Sequence, residues 1–543
     1  ILLAAFWVVP FLTAHKYMTD MKYEPRPSGA SDSFWDMYFP LTAFWDIALM
    51  AFALIGFAAS LLRRKIIGVW LGVMMIVLFV GVYVTRDSLP VIGLLWNPRL
   101  LPFLYLCRYM LAMIGIWAVI AAVFRLVTAE RGEALDSSSS ITVYSALRSA
   151  TVWVVAVGVL CVIGFRFQQL PGGSVITKSD GSAQYAWGPF RAKSDNKAFV
   201  DGWARWNFEG YEGKGSYAEY HDIVQAMKRL GEDKSHGCGR ALWENNGDLN
   251  KYGTTMALML LPFWTNGCIG SQEGLFFEAA GTTPYHFISA AAMSKQSSNP
   301  VRELRYDNND ATKGVHYLQE LGVKYYMAFT TEAIDKASAE ADLTEVARSG
   351  PWVVYEVAGS DWVVPMKTRP VVVNERSGDQ RERWLELGTS WFQHPEEWSA
   401  TPVDNGPKDW QHIDVQVDLT RRVGQPGDAS RNVDIVTPVQ KINPVALPMV
   451  QVTNVSHSEN SVSFSVDKIG VPILVRVSYF PNWKVDGAKG PYRAAPNMMV
   501  VIPTEKNVRL HFSSSGIDKV AYLLTIAGIA LVVYWWRRDP YSL

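Results

Sequence analysis

The sequence is poor in cysteine and carries no excess charge of either sign. Four cysteines stand among 543 residues, and 51 Lys and Arg balance 51 Asp and Glu. A chain with that balance offers no field to gather nucleic acid or an acidic partner. It has no P-loop, no GxSxG elbow and no HExxH helix, so nucleotide hydrolysis, serine hydrolysis and zincin chemistry have no residues to work with. No CxxC pair occurs, which leaves its cysteines without a zinc-site pattern. No heptad array and no internal repeat of roughly 20–50 residues is visible.

Apolar residues are abundant, and they are clustered. Runs occupy about 1–13, 41–62, 66–85, 101–127 and 146–165, and a last run covers 520–536, followed at once by Arg537 and Arg538. The middle runs approach the roughly 20 residues that cross a bilayer. The first is too short to cross, begins at Ile1 rather than Met and lacks the basic flank of a signal peptide. We therefore expect it to be the tail of a span in a longer protein. Basic residues at span ends set the orientation. Arg63, Arg64 and Lys65 join the second and third runs, Arg125 and Arg131 follow the fourth, and Arg537 and Arg538 follow the last. Counted along the chain, all these sites fall on one face, the cytoplasmic one. The loops 14–40 and 86–100 and the segment 166–519 then lie outside.

The expected organisation has five parts. Residues 1–165 form a transmembrane helical region of about five spans, and 166–365 an extracytoplasmic α/β domain. Residues 366–519 form an extracytoplasmic β-sandwich, 520–536 a closing transmembrane helix and 537–543 a cytoplasmic tail. Within the α/β part, YAEYHDIVQAMKRLG (217–231) has apolar positions at helical spacing and a Gly stop. GVHYLQELGVKYYMAF (314–329) reads as a helix turning at Gly322 into a strand, and GPWVVYEV (350–357) as the next strand of that sheet. From 366 onward, short alternating runs such as SVSFSVD (461–467) and MMVVIP (498–503) alternate with turn residues, the pattern of a sandwich. Cys107 and Cys161 fall in apolar runs and read as core. Cys238 and Cys268 are the two cysteines of the external part, so they have one pairing there, a disulfide in an oxidising compartment.

Several side chains are candidates for chemistry. Pro90, Pro98 and Pro102 interrupt an apolar stretch and suggest a re-entrant segment at the outer face, with Arg99 at the break and Arg108 inside the next span. A cation at membrane depth needs a partner. One reading makes Arg99 and Arg108 a clamp for a lipid-linked phosphate, whose geometry guanidinium matches. The other sends Arg99 to the headgroups and pairs Arg108 with a carboxylate such as Asp46. In the loop 14–40, Asp32 and Asp36 lie beside Trp35, Tyr38 and Phe39, where a general base for a sugar hydroxyl would sit. Solvated carboxylates beside an interfacial aromatic belt give the same pattern. In the external domain, Trp203, Trp206 and Trp264 are candidates for stacking on sugar rings, and Glu273, Glu278 and His286 for bonding hydroxyls. A Trp-rich core pinned by one disulfide is the competing reading. Asp307, Asn308, Asn309 and Asp310 lack the ligand spacing of a calcium loop and read as a turn.

The passage DATKGVHYLQELGVKYYMA, the following GPWVVYEV, and VPILVRVSYFPNWKVDGAKGPYRAAPNMMVVIPTEKNVRL (471–510) resemble large multi-spanning bacterial proteins of the YfhO type. WENNGDLNKYGTTMALMLLPFWTNGCIGSQEGLFFEAAGTTPYHF is similar to an actinobacterial branch of them, and the resemblance covers most of residues 200–540. It implies the GT-C superfamily of membrane glycosyltransferases. The expected fold is then a polytopic α-helical membrane protein, GT-C-like, with a large extracytoplasmic α/β lobe and a C-terminal β-sandwich, closed by a final transmembrane helix. Such a protein of the bacterial plasma membrane is expected to move a sugar from a polyprenyl-phosphate donor to an envelope polysaccharide or glycolipid. A carboxylate would deprotonate the acceptor, while Arg99 and Arg108, with or without a divalent cation (Mg or Mn), would hold the leaving phosphate. In that superfamily the base usually lies in the first external loop. In a chain lacking its first spans, the loop of Asp32 and Asp36 would contribute to the site without holding that base. The rival expectation is a non-catalytic glycan-binding or scaffold subunit of a membrane-protein complex in envelope synthesis.

Overall fold

A computed structural model of the chain describes residues 2–19, 43–80, 100–130, 153, 174–177, 183–193, 205–274, 280–297, 299–301, 303–424 and 432–538. The compact units divide the chain differently from the five parts expected. One unit joins residues 1–23 to 214–543 and the other holds 24–213. Helix α1 (Ala5–Ala14) opens the first of these.

The unit 24–213 contains the apolar helices α2 (Ala43–Leu62), α3 (Ile66–Phe79) and α4 (Leu101–Glu130). It also contains a small antiparallel sheet of β1 (Ser174–Thr177), β2 (Ala183–Trp187) and β3 (Phe190–Lys193). Glycine lets α2 and α4 cross closely. A Cβ on Gly115 would lie 1.9 Å from the Phe52 carbonyl oxygen, and one on Gly56 would lie 2.1 Å from that of Leu111. Small residues at helix crossings are how membrane helices gain contact where lipid supplies no hydrophobic drive. Leu49, Ala53, Leu71, Leu104 and Leu111 fill the space between the three helices. The expected fifth span, 146–165, lies outside the described residues apart from Trp153.

In the other unit, α5 (Tyr217–Glu232) buries Tyr220, Ile223, Val224, Met227 and Leu230 on one face. Strands β4 (Gly239–Trp243), β5 (Ile269–Ser271) and β6 (Val323–Ala328) form the parallel part of a five-stranded sheet. Helices α6 (Thr283–Ala292) and α7 (Ala311–Glu320) connect β5 to β6. Asp310 caps α7 by accepting from Lys313 N–H at 3.2 Å. The run 307–310 is thus a turn and cap. Gly322, at φ +62°, makes the left-handed exit that the helix-to-strand reading requires. Helix α8 (Thr331–Ser338) and the antiparallel strands β7 (Leu343–Ser349) and β8 (Trp352–Val357) complete the sheet, in the order β5-β4-β6-β8-β7.

The sandwich follows, with one helix that the alternating pattern did not disclose. Strand β9 (Val363–Pro365) and β10 (Val371–Val373) precede α9 (Gln380–Gln393), capped by Asp379. Next come β11 (Pro402–Val403), β12 (His412–Ile413), β13 (Val415–Val417), β14 (Val436–Pro438), β15 (Val452–Ser458) and β16 (Ser461–Val466). The last strands are β17 (Ile473–Val475), β18 (Trp483–Asp486), β19 (Ala488–Ala494), β20 (Met498–Pro503) and β21 (Asn507–Phe512). A seven-stranded sheet, β12-β10-β11-β19-β20-β17-β9, packs on a four-stranded one, β15-β16-β21-β18. In β16, Val462, Phe464 and Val466 face the shared core while the serines alternate outward. Strand β20 is apolar throughout because both its faces are covered. Met499 and Val501 enter the inter-sheet core, whereas Met498 joins the core that contains Trp384 and Leu387 of α9. That second core also holds Ile288, Leu318 and Tyr326 from the α/β part, so it runs across the boundary expected at 365.

The chain ends in α10 (Gly516–Arg538), whose large apolar side chains are exposed, Leu523 and Trp535 each at 65%. A helix that is apolar all round and unburied belongs in lipid. Among the described residues, two helices are long and apolar enough to cross a membrane, Leu101–Val123 and Gly516–Arg538. The chain is a membrane protein carrying a sheet-rich domain. Helix α1 runs beside α10, where Phe6 N–H donates to Thr525 Oγ1 at 2.9 Å and Leu2 packs on Gly528.

Candidate functional site

Glu273 and His286, both expected to bond sugar hydroxyls, come together in one cavity of about 240 Å³. Strand β5 delivers the first. Ser271 Oγ donates to the Glu273 carbonyl at 2.6 Å and accepts from Glu273 N–H at 3.2 Å, a tight turn that sets the carboxylate just past the carboxyl end of a parallel strand. Ligands of open α/β sheets collect at such ends. Helix α6 delivers the second. Its start is marked by Pro284, tolerated where the helix has no use for an N–H, and every residue of the helix is buried.

The pair is buried, and its two members are not hydrogen-bonded to each other. Glu273 is 5% and His286 3% exposed, and Glu273 Oε1 lies 3.8 Å from His286 Nε2, beyond hydrogen-bond reach. Neither imidazole nitrogen has a hydrogen-bond partner among the described residues. Buried polar atoms are normally satisfied, so two open nitrogens on one ring ask for an explanation. Arg240 closes another wall, held by a 2.5 Å hydrogen bond to the Leu321 carbonyl and stacked 4.9 Å from the Trp362 ring centroid. Desolvation lowers its guanidinium to about 10, which leaves it charged at neutral pH. Thr282, Thr283, Gln272 and Ser478 add hydroxyl and amide groups. The wall thus presents a carboxylate, an imidazole, a guanidinium and hydroxyls. That donor and acceptor set suits a polyhydroxylated ligand or an acid–base pair.

The other expected residues lie elsewhere. Asp32, Asp36, Arg99, Trp203 and Glu278 fall outside the described residues. Arg108 is 2% exposed and lies 3.4 Å from Asp46, the partner that the sequence offered as the alternative to a phosphate. Tyr105 and Tyr109 flank it, their ring centroids 5.2 and 5.3 Å from the guanidinium. Trp206 is exposed, on the turn Arg205–Phe208 of the unit 24–213. Trp264 is used in packing: its Nε1–H donates to Tyr220 Oη at 2.9 Å and its ring meets Phe263 edge-on. Cys238 and Cys268 form a disulfide across Cα atoms 4.7 Å apart. For a divalent cation, the described residues supply one group of neighbouring ligand atoms, on His394, Glu396 and Glu397. Arg421 already grips Glu397 through both oxygens, at 2.8 and 3.0 Å, so this group does not fit a metal well.

No family model matches the chain. No curated protein matches it either. Among solved structures it is similar to the cryo-EM structure of arabinofuranosyltransferase AftD from Mycobacteria, at 12% identity and a TM-score of 0.26. The match covers 95% of this chain and 41% of that one, so the chain spans about two fifths of the length of that protein. A likeness at this TM-score decides neither fold nor activity.

Sequence reasoning had missed Arg240, Thr282 and Ser478 as walls of the cavity. A lone Arg inside the apolar strand GRALW is a signal of sorts. Ser478 lies nearly two hundred residues downstream of Thr282, and nothing local links them; their hydroxyls are 2.5 Å apart.

Proposed function

We propose that this chain is part of a membrane glycosyltransferase of the bacterial envelope, and that the Glu273–His286 cavity holds the sugar. The reading moves a sugar from a polyprenyl-phosphate donor to a polysaccharide or glycolipid acceptor at the outer face of the plasma membrane. The observation that supports it best is the buried Glu273–His286 pair with both imidazole nitrogens unsatisfied. A sugar hydroxyl between the two would accept from one group and donate to the other, and Arg240 would donate to a second oxygen of the sugar. In the fuller reading, a base from the membrane-side loops deprotonates the acceptor and Arg99, with or without Mg or Mn, meets the leaving phosphate.

A second reading shares the same cavity. The protein is then a non-catalytic glycan-binding or scaffold subunit of an envelope-synthesis complex, favoured by the position of the cavity in the sheet-rich domain rather than among the apolar helices.

The test uses the full-length protein in detergent. Envelope oligosaccharides are titrated onto it, and transfer from radiolabelled polyprenyl-phosphate sugars is followed in parallel. Glu273→Gln and His286→Gln each keep shape and remove one charge-assisted or ring hydrogen bond, so binding should weaken about tenfold or more. Glycan affinity unchanged in both variants would remove this cavity from the reading. Binding without transfer from any donor would favour the subunit.

A further inference from the structure

Two helices mark the level at which the sheet-rich domain meets the membrane. Phe6 lies beside Thr525 and Leu2 beside Gly528, so α1 and α10 run antiparallel. The end of α1 at Ala14 then comes level with Ile517, at the start of α10. Lys16, just past α1, and Lys519, in the first turns of α10, are exposed at that level, where basic side chains reach lipid headgroups.

Aromatic rings gather at the same place. Tyr17, three residues past the end of α1, has its ring centroid 5.6 Å from that of Tyr479 and 6.1 Å from that of Phe480. Phe480 lies 6.1 Å from Phe512, and Phe512 meets Trp483 edge-on at 5.7 Å. Trp483 opens β18 and pairs across the sheet with Phe512, the last residue of β21, four residues before α10 begins. Phe512 is 42% exposed, and Pro481 in the loop before β18 is exposed as well. Farther from the helix the same face of β21 is closed, with Leu510 and Val508 buried in the sandwich core. The apolar opening is thus confined to the end of the strand that adjoins the membrane helix.

Hydrogen bonds hold this end to α10. Asp518 Oδ2 accepts from Ser515 N–H at 2.6 Å, from the Ser515 hydroxyl at 2.8 Å and from Asn482 Nδ2–H at 2.7 Å. Asn482 also donates to the Ser513 carbonyl at 3.2 Å. The loop that carries Phe480 and Trp483 is therefore fastened to the first turn of the helix. We infer that the loop 479–483 and the open end of β21 form a lipid-binding face that rests in the headgroup region of the bilayer crossed by α10. Tyr and Trp suit that layer because their apolar rings and polar tips are both satisfied there. The occupant is lipid because Phe512, Ile517 and Val520 carry exposed apolar surface from the strand directly onto the lipid-facing helix. Ser478, whose hydroxyl walls the Glu273–His286 cavity, immediately precedes the loop, so the contact holds that wall next to the membrane. The lipid contact stands whether or not the cavity holds a sugar.

The experiment uses the full-length protein in phosphatidylcholine nanodiscs. Phe512→Cys, Pro481→Cys and Lys506→Cys are each labelled with a bimane maleimide, and the unsubstituted protein gives the labelling background. Lys506 is the control, because it precedes the same strand and six residues of extended chain put it about 20 Å from Phe512. Fluorescence is compared in discs with and without a phosphatidylcholine that bears a nitroxide on its headgroup. The expected result is quenching of about twofold or more in Phe512→Cys and Pro481→Cys, and little in Lys506→Cys. Phe512→Cys removes a packed ring, so Pro481→Cys, at an exposed position, carries the test if the first variant does not fold. Quenching at Pro481 no greater than at Lys506 would show the loop standing clear of lipid, and equal strong quenching at all three sites would show no particular face against it. Either result would overturn the inference.

Discussion

Arg108 is a charged side chain in the middle of an apolar helix, and its guanidinium lies 3.4 Å from Asp46. Both groups are essentially inaccessible, so each needs the other more than either needs a ligand. Arg108→Met should therefore destabilise the helical unit by about 3–5 kcal/mol, because Asp46 loses a buried ion-pair partner. The double variant Arg108→Met/Asp46→Leu should recover most of that loss, read as the midpoint of thermal aggregation in detergent. If the double variant is stable yet loses sugar transfer, the phosphate role for Arg108 returns. Glu273 and His286 pose the opposite case. Their closest approach is 3.8 Å, too long for a hydrogen bond, and neither nitrogen of the His286 ring has a hydrogen-bond partner among the described residues. A sequence shows both pairs only as isolated polar letters. Whether a buried charge is matched is a question of distance, and distance between residues far apart in the chain is set by packing.

Helices α2 and α4 meet at Gly56 and Gly115, each facing a backbone carbonyl of the other helix. A side chain at Gly115 has no room to relax because the obstructing atom is backbone. Gly115→Leu should part the two helices and cost about 1–3 kcal/mol or more, with loss of the monodisperse peak in size exclusion. Gly115→Ala should fall between this variant and wild type. If Gly115→Leu is as stable as wild type, the crossing is not as close as described. The same elements show how far periodicity reaches. The helix at 217–231, the Gly322 turn and strands of the sandwich were legible because each is a local pattern: one apolar face, one left-handed residue, or alternation. Helix α9 was not. It lies among short alternating runs, and its Trp384, Leu387, Trp391 and Phe392 look like a sandwich segment until they are seen covering one face of the seven-stranded sheet.

The whole molecule is a membrane protein in which the first and last described helices, α1 and α10, pack side by side. Orientation is the property most open to direct measurement. Met449, 90% exposed in the sandwich region, gives a site for it. In intact cells Met449→Cys should react with a membrane-impermeant maleimide if the large domain faces outward, while the wild type, with Cys107 buried and Cys238 joined to Cys268, gives the background. Labelling seen only after lysis would place the domain inside and would require the charge-based topology to be redrawn. The sequence by itself showed long apolar runs before and after a segment rich in strands, and about 20 consecutive apolar residues are long enough to cross a bilayer. It also determined the disulfide pairing, since residues 166–519 hold two cysteines and no others, and much of the local strand and helix content. Only the tertiary structure decided which polar residues face one another. Thr282 beside Ser478, Arg493 beside Tyr17, and Glu273 beside His286 are brought together by sheets and helices packing over a shared core. Packing minimises exposed apolar area over the whole fold and leaves in the local sequence no record of which distant side chain becomes a neighbour.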